Sequence, residues 1–131
     1  MLWQRCIWKK GEVGKAMSLY EESLAIKEQV GDLRGKIMTV VMIAQLRSLH
    51  KIGEAQLPVQ FLHWSLSASI EMELKETPQI IEILKQVWLE YIHQSLGEEA
   101  LNEAVALLQK EDAVLQINRW ATGKGVLPLI G

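Results

Sequence analysis

Apolar and small side chains recur at three- and four-residue intervals along most of this chain, the period of helices that bury one face. Between Glu12 and Val30 they fall at Val13, Ala16, Met17, Tyr20, Ser23, Leu24 and Ile26. Gly31-Asp32 interrupts the pattern, and Asp32 can cap the next helix through its side-chain oxygen. That helix is expected to reach about Ile52, with Leu33, Ile37, Val40, Val41, Ala44 and Leu49 inward, and to stop before Gly53. A third covers Leu57 to Lys75 through Phe61, Trp64, Ser65, Ala68 and Met72, starting late because of Pro58. Thr77-Pro78 is a start signal: an N-cap hydroxyl, then a proline whose missing N–H costs nothing in a first turn. The helix it opens gathers Ile81, Leu84, Val87, Trp88 and Tyr91 and ends near Leu96. A last helix is expected from Glu98 to about Trp120, carrying Leu101, Ala104, Leu107, Leu108 and Leu115, with the rest a tail. The turns between them are short, so consecutive helices should lie antiparallel.

The chain also repeats itself. Ser23-Leu24, Ser65-Leu66 and Leu107-Leu108 are each 42 residues apart, and Gly11, Gly53 and Gly97, spaced by 42 and 44, are each followed by glutamate. A period of about 42 residues with helical patterning indicates stacked helix pairs.

The stretch GEVGKAMSLYEESLAIKEQVGDLRG, from Gly11 to Gly35, resembles the tetratricopeptide repeat in its lengthened bacterial form. It has a turn glycine, the small Ala16, Tyr20, Ser-Leu-Ala-Ile and a Gly-Asp-x-x-Gly link; Ile43-Ala44 and Gly53-Glu54 continue the likeness. Pro58 and Trp88 stand where the family has small residues. The resemblance implies an all-α fold, a short right-handed solenoid of antiparallel helix pairs with about two and a half repeats. A partial repeat would span 1–31, full repeats 32–76 and 77–121, and a C-terminal tail 122–131. The register puts Trp3, Gln4 and Ile7 in the later turns of a first helix. The chain is therefore expected to begin inside a repeat, as a piece of a longer array or with that helix completed by another molecule.

Charge narrows the function classes. Fourteen basic and sixteen acidic residues give a net charge of −2, which leaves no large counterion-release term for binding a polyanion. No apolar run approaches the roughly 20 residues of a membrane span, and the first residues lack the pattern of a secretory signal. A single cysteine, Cys6, cannot form an intrachain disulfide or a cysteine zinc site, so reducing, cytoplasmic surroundings are expected.

Candidate chemistry does not accumulate. Glu90 and His93 have the Glu-x-x-His spacing of di-iron bundles, but those sites need a second copy and two more glutamates. His50 and His63 have Arg47 and Gln60 three residues before them, so there is no second Glu-x-x-His and a solvated helix edge is the simpler reading. Gly123-Lys124-Gly125 fails as a phosphate loop, with Asn118 where the earlier glycine belongs and Gly125 in place of Ser or Thr. Cys6 lies beside Arg5, Lys9 and Lys10 but has no histidine near it in sequence. The glutamates at 21–22, 71, 73 and 98–99 read as a solvated face and a favourable helix start. Trp64 and Trp88 are expected in the core; Trp3, Trp8 and Trp120, near the two ends, suit end-capping or contact with another molecule as well as burial. The expectation is therefore no catalytic centre, no cofactor and no metal.

What remains is a protein-interaction module or scaffold. The resemblance places its groove on the first helix of each pair, with Met38, Val41, Gln45 and Ser48 from one repeat and Glu82, Lys85, Leu89 and Ile92 from the next. The expected partner is a protein or peptide, with no nucleic acid and no membrane. The alternative is a structural segment that self-associates through its incomplete first repeat and has no groove ligand.

Overall fold

In the computed structural model, residues 10–130 are described, with the side chains of 10–13 set aside. Within them the chain forms helices α1 (Lys10–Val30), α2 (Leu33–His50), α3 (Gln56–Glu71), α4 (Thr77–Leu96), α5 (Glu98–Leu108) and α6 (Ala113–Lys124). No strand occurs among the described residues. The turns show how the sequence sets these limits. Asp32 caps α2, its Oδ1 accepting the Gly35 N–H at 2.9 Å. Gly97 alone joins α4 to α5, at φ +96°, where any side chain would be strained. Pro78 sits in the first turn of α4 as expected, but the Thr77 hydroxyl does not cap it. Thr77 Oγ1 instead lies 2.9 Å from the Leu74 carbonyl and 3.1 Å from Ser69 Oγ, tying the turn back onto α3.

Each helix packs on its neighbour in sequence, and α2 also packs on α4; the backbones of α3 and α5 do not approach. Successive helices fold back on one another, and among the described residues α2 and α4 are the one pair of helices that meet without being neighbours in sequence, which is consistent with a helical repeat. The positions 42 residues apart keep their roles: Leu66 is buried, and Leu24 and Leu108 pack against core side chains. A small core between α1 and α2 holds Ala16, Met17, Ile43 and Leu46. The main core runs through Ile37, Val41, Ala44, Val59, Leu62, Ile80, Leu84, Trp88 and Ile92 to Ala104 and Ile117. Ser65 and Ser69, both 0% exposed, are accommodated because their hydroxyls donate to the Phe61 and Leu66 carbonyls.

The structure corrects several expectations. Gly11 lies within α1 and is not a turn residue. The helix expected over Glu98–Trp120 is two: Gln109 and Lys110 donate to the Ala106 and Leu107 carbonyls, tightening the last turn of α5, and α6 sets off anew at Ala113. The break lets Ile117 and Ala121 face the core, while Leu115 is exposed. Leu33, Leu49, Trp64, Met72 and Ile26, expected inward, are exposed. In α3 the face is set by Pro58, Val59, Leu62 and Leu66, which turns Trp64 outward beneath Lys36, whose Nζ lies 5.4 Å from the ring centroid.

The expected tail is also no tail. After α6, residues 126–130 run across α3, α4 and α6, with Leu129 1% exposed. The α4 and α6 backbones do not approach each other; Trp88 and Trp120 span the gap, edge to face with centroids 6.2 Å apart. Trp88 is thus core, as expected, and Trp120 is half-buried against it. Cys6, Trp3, Trp8 and the residues expected to form an incomplete first helix lie outside the described residues.

Candidate interaction groove

Because α2 and α4 meet side by side, their exposed flanks enclose a groove of about 480 Å³. Gln45, Leu46, Ser48 and Leu49 line it from α2, and Ile83, Gln86, Val87 and Glu90 from α4. Leu46 and Val87 are buried and form the floor, while Leu49 is 63% exposed and Ile83 is half-buried at the rim. The polar rim consists of Gln45, Gln86, Ser48 and Glu90; Glu90 accepts from Gln94 Nε2 at 3.2 Å. A mostly neutral rim around an apolar floor can take an apolar segment and satisfy a few of its main-chain groups through the glutamines. With a single carboxylate and no cation in the lining, it offers nothing to an acidic ligand.

Of the expected groove residues, Gln45 and Ser48 line it. Val41 and Ile92 do not line it and lie in the main core; Met38 and Leu89 are half-buried against that core. Glu82 and Lys85 pair with each other at 3.4 Å on the outside of α4. The α4 lining is displaced one residue from the expectation, to Ile83, Gln86 and Glu90, about 100° of helical rotation. The reason is geometric. A groove between successive helices is walled by opposite flanks of the two, so equivalent positions of two repeats do not both face it. The signal in the sequence was Leu49 and Ile83, apolar residues beside the buried stripes.

No cluster of three or more metal-ligating side chains occurs among the described residues. His93 is exposed, and Gly123 and Lys124 belong to the last turn of α6, with Gly125 as its left-handed cap. No described helix is long and apolar enough to cross a membrane. No family model, curated protein or solved structure matches this chain.

Proposed function

We propose that this chain is a non-catalytic protein-interaction module of tetratricopeptide type, a short right-handed stack whose first helices, α2 and α4, hold a partner segment between them. The observation that carries this reading is the α2–α4 groove, with Leu49 left exposed beside Ile83 over a buried floor. Exposed apolar surface inside a concave, polar-rimmed site favours a peptide or helix presenting apolar anchors. A reducing, cytoplasmic setting accords with the single cysteine. The test is an anisotropy titration with a panel of uncharged apolar peptides, helical and extended, against the wild type and Ile83→Glu. Binding that weakens at least tenfold in the variant supports the reading; no binding, or binding untouched by the substitution, rejects it.

A second reading rests on α1. Leu19, Ile26 and Val30 are 65%, 59% and 71% exposed along one side of that helix. Such a stripe fits self-association or further repeats packed against α1. Light scattering over a wide concentration range separates the two, since a monomer at all concentrations rejects self-association.

A further inference from the structure

Residues 126–130 lie in a cleft walled by α3, α4 and α6, and the cleft holds them by their main chain. The Leu127 N–H donates to Tyr91 Oη at 3.0 Å, and its carbonyl accepts from Trp88 Nε1 at 2.9 Å. The Leu129 N–H donates to Asn118 Oδ1 at 3.0 Å, and its carbonyl lies 2.9 Å from His63 Nε2. The Ile130 carbonyl accepts from Asn118 Nδ2 at 2.9 Å. Pro128 has no N–H to satisfy. Four side chains from three helices are therefore committed to an irregular run of backbone, while Leu129 fills the core. This is how a peptide site reads a non-helical ligand: side chains take the main-chain groups and a pocket takes an anchor.

Nothing in these contacts requires the segment to be joined to α6. The join passes through exposed Gly123, Lys124 and Gly125, the last at φ +74°. Tyr91, Trp88, Asn118 and His63 include neither a carboxylate nor a Lys or Arg, so the chemistry selected is apolar and uncharged.

We propose that this cleft is a binding site for a non-helical apolar peptide of the Leu-Pro-Leu type, and that residues 126–130 are its ligand in cis, displaced when a competing segment of that chemistry binds. It is separate from the α2–α4 groove, and it stands or falls independently of that reading. A tethered ligand acts at an effective concentration on the order of millimolar, so the free peptide binds well only where the tether's own contacts are weakened.

The test is anisotropy with a fluorescein-labelled peptide of sequence VLPLIG, titrated into the full chain as wild type and as Leu129→Asp, each checked for helicity by circular dichroism. Leu129→Asp is expected to bind at least tenfold more tightly than wild type, to lose that binding when Asn118→Ala is added, and to ignore a scrambled peptide. Glu21→Gln, on the exposed surface of α1 away from both sites, is expected to leave all this unchanged. Where Leu129→Asp does not fold, Leu129→Ala takes its place. In the wild type, millimolar peptide is expected to shift the Trp88 indole N–H resonance. The proposal is overturned by a folded variant that binds no peptide, by equal affinity for the scrambled peptide or for wild type, or by an indole resonance that excess peptide does not move.

Discussion

Arg34 and Glu76 stand 42 residues apart in the chain and form a salt bridge that ties the first turn of α2 to the turn leading into α4. The same interval relates the Ser-Leu pairs, and the salt bridge ties together the two helices whose flanks form the groove. The Arg34 hydrogen bond holds the Glu76 carboxyl below its ordinary range, aided by its backbone and by the charges of Arg34 and Lys75, and opposed by burial.

A carboxyl lowered in the folded state stabilises the fold above the unfolded value, and that stabilisation is lost as pH falls through the folded value. Thermal midpoints of the wild type should therefore decline as the solution is acidified below the ordinary carboxylate range. Glu76→Gln should be less stable than wild type near neutrality and should lack this part of the acid slope. Arg34 is 55% exposed, so the difference should shrink in high salt. An acid slope unchanged in Glu76→Gln would show that the pair contributes nothing to folding.

Two glycines of neighbouring helices should respond oppositely to the same substitution. Gly14 lies inside α1 with nothing near an added Cβ, so Gly14→Ala should stabilise by about 0.5–1 kcal/mol. At Gly35 an added Cβ would lie 2.8 Å from Asp32 Cγ and 2.7 Å from Lys27 Cε, displacing the α2 cap. Gly35→Ala should therefore lose most of a capping interaction, about 1 kcal/mol, in urea unfolding. Equal effects of one sign would remove the distinction.

The tryptophans offer a similar contrast. Trp88→Phe leaves the part-buried Leu127 carbonyl without its donor and should cost about 1–3 kcal/mol. Trp64 is 41% exposed and touches Lys36 only through its ring face, so Trp64→Phe should cost less than about 1 kcal/mol. Urea unfolding followed by circular dichroism compares them directly. A larger loss at Trp64 would contradict the packing described.

The pattern of the sequence held the helices α2 and α4 nearly to the residue, because Asp32, Pro78 and Gly97 punctuate a strong helical period with groups whose chemistry forces a start or stop. It did not hold the break at Gln109–Asp112, where no glycine or proline marks the turn and the apolar period runs on to an exposed Leu115. Residues 126–130 were misread for the opposite reason. Gly125 and Pro128 correctly end helix, yet Val126, Leu127, Leu129 and Ile130 form an apolar run that water would disfavour, and that run was the sign of docking. Of the eight residues that line the groove, the sequence pattern reached Gln45 and Ser48, both on α2. It did not reach the α4 wall, since which flank turns toward α2 depends on how two helices meet rather than on either helix alone.

That division between wall and floor makes the groove testable by substitution. Leu49 is 63% exposed, so Leu49→Glu should change stability by no more than about 0.5 kcal/mol. Leu46, beneath it, is 1% exposed, and Leu46→Ala should cost about 2–5 kcal/mol by opening a cavity between α1 and α2. For a peptide that binds the wild-type groove, Leu49→Glu should weaken affinity at least tenfold, about 1.4 kcal/mol, because it puts a carboxylate beside Glu90 where an apolar anchor would sit. The discriminating result is the separation of the two effects: binding lost with the unfolding midpoint intact places the ligand against Leu49. If affinity instead survives Leu49→Glu, the ligand occupies another surface, and the exposed leucine has some other purpose.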